Sequence, residues 1–228
     1  MDIKDIKLQK HFKNSIYCIT DQEHSSGRSN IKVVEEMLEA GIKIIQYREK
    51  NKEKLEKLRE CKIISEMVKR EDGIFIVNDD IDIAILSKAD GIHIGQDDLP
   101  IEDARSLVGD KMIIGVSTHN INQARKAKKN GADYIGVGPI FKTFTKKNVC
   151  DPVGIKYMKE VIDTIDILFV AIGGIKENNI KKIREAGAEC ICLVTEITEA
   201  DDIKGKIKKL KNICGFSDLE DINLEVHL

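Results

Sequence analysis

Two apolar runs in the middle of the chain each end in amides and acids. Ile74 to Val77 runs into Asn78, Asp79 and Asp80, and Ile92 to Ile94 runs into Gly95, Gln96, Asp97 and Asp98. If the two runs are neighbouring parallel strands, their polar ends emerge at one edge of a sheet. Facing carboxylates there make an oxygen-rich site for a hard cation such as Mg²⁺. The same acids could instead cap the helices that follow, and both readings stay open at this point. Another apolar run closes with Gln46-Tyr47-Arg48-Glu49-Lys50. Alternation along an extended segment puts Gln46, Arg48 and Lys50 on one side, an amide, a planar fork and an ammonium that together suit a polyanion. A solvated charge run opening a helix is the competing reading.

Further along, Ser117 offers a hydroxyl to a phosphate or to a helix start, while His93 and His119 read as hydrogen-bonded structural residues. The connection after Gly136 is long and carries Thr143, Phe144, Thr145, Lys146 and Lys147. Two hydroxyls and a cation on one side of an extended segment suit a basic lid over an anionic substrate. Gly173-Gly174 and Val194-Thr195 end two more apolar runs, where barrels bind phosphate through backbone N–H groups.

The elements that must position these residues form one repeated unit. Short apolar runs near Ser15–Thr20, Ile42–Gln46, Ile74–Val77, Ile92–Ile94, Met112–Val116, Tyr134–Val137, Leu168–Ile172 and Ile191–Val194 read as strands. Each is followed by a segment of helical periodicity, the last at Ile203 to Leu210. Joints such as Ala40-Gly41-Ile42 and Gly131-Ala132-Asp133-Tyr134 place glycine where a helix must stop. Eight strand-helix pairs in 228 residues predict a single (β/α)₈ TIM barrel over residues 1–228, with a loose acidic tail at about 213–228.

Composition narrows the partners. Charged residues make up 33% of the chain and the net charge is -2, so bulk electrostatics favour neither nucleic acid nor an anionic membrane. The six cysteines form no CxxC pair, which points to reduced thiols and a cytoplasmic setting. Residues 1–13 lack the apolar run of a signal peptide or a membrane span. Oligomeric state stays open.

The chain resembles the thiamine-phosphate synthase family over nearly the whole barrel. The motifs are QYREK (Gln46 to Lys50), VNDD (Val77 to Asp80), GIHIGQDDL (Gly91 to Leu99), GVS (Gly115 to Ser117), GADYIGVGPIFKTFTKK (Gly131 to Lys147) and IGGI (Ile172 to Ile175). The resemblance implies joining of hydroxymethylpyrimidine diphosphate to hydroxyethylthiazole phosphate, two small phosphorylated substrates, with release of pyrophosphate. It implies that Gln46, Tyr47, Arg48, Glu49, Lys50 and Asn78 bind the pyrimidine diphosphate. It further implies Mg²⁺ on Asp79 and Asp98, and Ser117 and Lys146 on the diphosphate. The thiazole phosphate falls to Thr143, Thr145, Gly174, Val194 and Thr195, with Phe144 beside them. Arg48, Lys50 and Lys146 would carry the catalytic charge. One departure stands out: Glu196 follows Thr195 where the family has a small residue, bringing a negative charge near the expected phosphate site. A thiazole tautomerase-type paralogue and a non-catalytic thiamine-phosphate sensor are the alternatives.

Overall fold

A computed structural model describes residues 3–143 and 150–216. The chain opens with helix α1 (Ile3–His11) and strand β1 (Ser15–Ile19), then a single 3₁₀ turn at Gln22–His24. There follow α2 (Asn30–Glu39), β2 (Ile44–Tyr47), α3 (Lys54–Arg70), β3 (Ile74–Asn78), α4 (Ile81–Ser87), β4 (Gly91–Ile94) and α5 (Ile101–Val108). The second half comprises β5 (Ile113–Thr118), α6 (Ile121–Lys129), β6 (Tyr134–Val137), α7 (Gly154–Thr164), β7 (Leu168–Ala171), α8 (Ile180–Glu185), β8 (Cys190–Leu193), α9 (Thr195–Thr198) and α10 (Ile203–Cys214). The strands pair in parallel in sequence order and close, β8 against β1, into a barrel. This is the (β/α)₈ architecture expected from the alternation of apolar runs and amphipathic segments.

The two-residue period of each strand divides the apolar side chains between two layers. Ile45, Tyr47, Phe75, Val77, Ile92, Ile94, Ile135 and Val137 face the helices in the outer cluster, with Met37, Ile64 and Val161. Tyr17, Ile44, Ile74, Ile76, Ile113, Tyr134, Val170, Cys190 and Cys192 fill the barrel interior. The register Asn78↔His93 brings the ends of β3 and β4 side by side, so the acids that follow them share one rim.

Two features depart from the sequence reading. Residues 3–11 form a helix whose Leu8, with Phe12 just beyond it, joins the interior cluster. That helix is held by ion pairs from Lys4 to Asp133 (2.7 Å), Lys7 to Asp90 (2.7 Å) and Lys10 to Asp72 (2.6 Å), partners invisible to local periodicity. The last helix continues past Leu210 to Cys214 and stops at Gly215 in the left-handed conformation. Phe216 is buried, with the Arg184 guanidinium 5.2 Å from its ring centroid. Residues 213–216 therefore belong to the folded body and not to the expected loose tail, whose remainder, 217–228, lies outside the described residues.

Candidate active site

The inward residues of β2 lead to the mouth. Gln46 is buried inside the barrel and its amide donates to Tyr17 Oη at 2.8 Å. The next residue points the other way. Tyr47 packs in the outer cluster and donates its hydroxyl to Glu60 at 2.7 Å, so this member of the expected pyrimidine-binding segment faces the helices. Alternation is the reason: neighbours in a strand cannot share a face. Glu49 is likewise committed to the scaffold, accepting from Gln22 N (3.0 Å) and Asn30 Nδ2 (2.9 Å). Between them Arg48 donates its backbone N–H to Thr20 Oγ1 (3.0 Å) and turns its side chain onto a cavity at the C-terminal mouth.

At the rim of β3 and β4 the two acids meet. Asp79 adopts φ +60° and donates its N–H to His93 O (2.9 Å). Left-handed backbone at a non-glycine residue stores about 1–3 kcal/mol of strain, which aspartate tolerates better than most, and such strain concentrates at functional sites. Asp98 Oδ2 accepts from Gly95 N at 2.6 Å. The carboxyl groups of Asp79 and Asp98 lie close enough for each to shift the titration of the other, and Lys50 Nζ pairs with Asp79 Oδ2. Burial pushes the Asp79 carboxyl up, but Lys50 outweighs it and the net shift is downward. Asp98 moves up, first through burial and then through the negative charge of Asp79.

Neither acid caps a helix. The residue before α4 is Asp80, whose side chain makes no cap hydrogen bond and takes Lys57 Nζ at 2.8 Å instead, and α5 is preceded by Pro100. Among the described residues no cluster of three or more metal-ligating His, Cys, Asp or Glu side chains occurs, so the Asp79–Asp98 pair is a two-carboxylate donor set. Asn78, at the last position of β3, is half-buried beside them.

The cavity has a volume of about 520 Å³. One wall carries Arg48 and Ser117, and the other carries Thr143, Gly173, Gly174, Val194 and Thr195. The second wall is shaped by close backbone approach. Ile140 N donates to Ile172 O and Phe141 N to Gly173 O, both at 2.9 Å, laying the start of the long connection on the tip of β7. Gly174 has φ +63°, and a Cβ there would stand 2.5 Å from Lys142 O, so only glycine fits. Asn179 Nδ2 holds the Gly174 carbonyl at 3.0 Å. Glu196, the departure noted beside Thr195, is engaged by Lys206 Nζ (3.2 Å), Lys176 Nζ (4.0 Å) and Glu177 N (3.3 Å). Its charge is thereby largely offset by cations.

Phe144, Thr145 and Lys146 lie outside the described residues. The lining residues that went unnoticed in the sequence include His24 and Glu199. His24 Nδ1 lies 3.0 Å from Asp21 Oδ2, and that hydrogen bond raises the imidazole pKa. The only sequence signal for them was polar residues following β1 and β8. His119, read as structural, also lines the cavity while its Nδ1–H donates to Gly138 O at 2.6 Å.

The model of the thiamine monophosphate synthase family matches residues 16–197, most of the chain and all eight strands but the first residue of β1. This chain belongs to the thiamine-phosphate synthase family. It is 59% identical over 198 residues to the thiamine-phosphate synthase of Pelotomaculum thermopropionicum, covering 87% of this chain and 91% of that one. Identity to the Lawsonia intracellularis thiamine-phosphate synthase is 52% over 196 residues, covering 86% and 90%. Among solved structures, the thiamine phosphate pyrophosphorylase of Pyrococcus furiosus matches with a TM-score of 0.82 at 30% identity, covering 90% of this chain and 98% of that one. The family consists of transferases of thiamine biosynthesis, and the chain is an enzyme of that kind.

Proposed function

We propose that this enzyme condenses 4-amino-5-hydroxymethyl-2-methylpyrimidine diphosphate with 4-methyl-5-(2-hydroxyethyl)thiazole phosphate, giving thiamine monophosphate and pyrophosphate. The observation that carries the chemistry is the convergence of Lys50, Asp79 and Asp98 at the rim, with Arg48 and Ser117 on one wall of a cavity and Gly174, Val194 and Thr195 on the other. Family membership supplies the substrates.

Asp79 and Asp98 would hold Mg²⁺. Two neighbouring carboxylates, all-oxygen and only partly offset by the single Lys50 ion pair, suit a hard cation that takes its remaining ligands from substrate phosphate and water. When bound, that ion neutralises charge developing on the departing pyrophosphate. Arg48 and Lys50 add fixed positive charge to the same oxygens, and the Ser117 hydroxyl donates to them. The amides of Gln46 and Asn78 orient the pyrimidine. Backbone N–H groups near Gly174 and the Thr195 hydroxyl hold the thiazole phosphate, so that the ring nitrogen faces the reacting carbon. Ile19, Ile172, Val194 and Cys192 line the cavity with apolar surface that excludes water. With the diphosphate so stabilised, the C–O bond breaks before the C–N bond forms, and no protein nucleophile is required. Cys192 is unsuited to that role because burial raises its thiol pKa well above the usual value.

We place the enzyme in the cytoplasm. The cysteines Cys18, Cys61, Cys190, Cys192 and Cys214 are buried free thiols, as a reducing compartment favours. No helix among the described residues is long and apolar enough to cross a membrane.

The test supplies both substrates and Mg²⁺ and measures pyrophosphate and thiamine monophosphate together, with each substrate omitted in turn. Pyrophosphate formed only when both are present supports the synthase. A tautomerase would instead isomerise the thiazole alone, and a sensor would bind without turnover.

A further inference from the structure

A line of hydrogen bonds crosses the barrel interior and ends at both sides of the proposed pyrimidine site. Gln46 Nε2 donates to Tyr17 Oη (2.8 Å), and Tyr17 Oη lies 2.9 Å from Tyr134 Oη. Tyr134 Oη is 2.9 Å from His93 Nδ1, and His93 Nε2 is 2.9 Å from Ser117 Oγ. The line thus joins five strands, β2, β1, β6, β4 and β5. Room for it is built into the backbone, since a Cβ on Gly115 would fall 2.1 Å from Tyr134 Cζ. From below, the Phe12 ring packs against that of Tyr134 with centroids 5.0 Å apart.

The donors and acceptors give the line one direction. A phenol has a single O–H. Tyr17 accepts from the Gln46 amide, so its own proton points to Tyr134; Tyr134 accepts it and donates to His93 Nδ1. Nδ1 is then bare, the imidazole proton sits on Nε2, and it is aimed at Ser117 Oγ. Ser117 Oγ, already accepting, turns its own O–H to the cavity it lines. Reversing the Gln46 amide would reverse every link and leave Ser117 donating into the barrel. Only the first polarity presents a donor to an anion.

We propose that Tyr17 and Tyr134 are positioning residues that hold His93 as its Nε2–H tautomer and thereby orient the Ser117 hydroxyl as a hydrogen-bond donor into the cavity. The identity of the anion that Ser117 meets rests on the synthase function; the tautomer does not. His93 is accordingly no general base for Ser117, because its nitrogen facing that hydroxyl already carries a proton.

Long-range ¹H–¹⁵N NMR on the full-length protein labelled at histidine reads the tautomer directly, with the His93 signals assigned by their loss in His93→Gln. The expected result is Nε2–H in the wild type and a gain of Nδ1–H in Tyr134→Phe, which keeps the packed ring. Nδ1–H in the wild type would overturn the proposal, whether or not any variant folds and whether or not the protein turns over. Kinetics give the second readout. Tyr134→Phe should lower kcat about tenfold with KM for the thiazole phosphate within about twofold, and Ser117→Ala with Tyr134→Phe should be no slower than Ser117→Ala alone within about twofold. Multiplying effects would show that Tyr134 does not act through Ser117.

Discussion

Asp79 and Asp98 stand at the rim just beyond β3 and β4 with their carboxyl groups close enough to shift each other's titration, and Lys50 is the cation paired to Asp79. Two acids in contact repel each other once both are ionised, and one lysine cannot balance them. The arrangement is held by backbone: the Asp79 N–H on His93 O and the Gly95 N–H on Asp98.

Lys50→Met removes the partner of Asp79 while keeping much of the aliphatic stem. Loss of one fixed charge at a developing anion costs about 10²–10³ in kcat. Steady-state kinetics should show that fall, with KM for the thiazole phosphate nearly unchanged because the wall proposed for it is carried by Thr143 and by residues that follow β7 and β8.

Behind the β2 tip lies a buried polar cluster whose loss should be seen in stability. Glu60 accepts from Tyr47 (2.7 Å), Lys52 (2.6 Å) and Asn30 (3.1 Å). Burial pushes its carboxyl up, yet these partners outweigh burial and the net shift is downward. A carboxyl depressed in the folded state stabilises above its unfolded pKa of about 4.3 and loses that contribution as pH falls through the folded value. Glu60→Gln should therefore destabilise by about 1–3 kcal/mol at pH 7 and by much less in acid below both pKa values, in denaturant titrations at the two pH values.

Gly174→Ala introduces a Cβ 2.5 Å from Lys142 O at φ +63°. The tip of β7 and the start of the long connection must separate. KM for the thiazole phosphate should rise at least about tenfold, with KM for the pyrimidine diphosphate much less affected, in initial-rate measurements varying each substrate.

Phe12→Ala opens a void under Tyr17 and Tyr134, whose ring centroids lie 6.4 and 5.0 Å from that of Phe12. Truncating a buried phenylalanine costs about 3–5 kcal/mol. A drop of that size in urea-unfolding free energy is expected, and it would show that α1 and its connection are part of the barrel's core.

What could be read from the sequence followed the range of the forces involved. The eight strands were legible because each buries a short apolar run whose period is local, and the rim acids were legible because they follow those runs directly. Helix α1 was not, since it is anchored by ion pairs to residues such as Asp133 and Asp90 far along the chain. His93 read as an ordinary structural histidine because Tyr134, which orients it, is 41 residues away, and Tyr17 is 117 residues from Tyr134. Tyr47 was grouped with Gln46 and Arg48 as part of one motif, although strand alternation alone places it on the opposite face.

The most direct measurement is the ratio of pyrophosphate to thiamine monophosphate formed by the wild type and by Asp98→Asn, each across a Mg²⁺ titration. The expected result is one pyrophosphate per thiamine monophosphate in the wild type, turnover abolished by EDTA, and a fall of at least about 10²-fold in Asp98→Asn at every metal concentration. Wild-type turnover undiminished by EDTA, or Asp98→Asn turning over at the wild-type rate, would contradict a metal site at the Asp79–Asp98 rim.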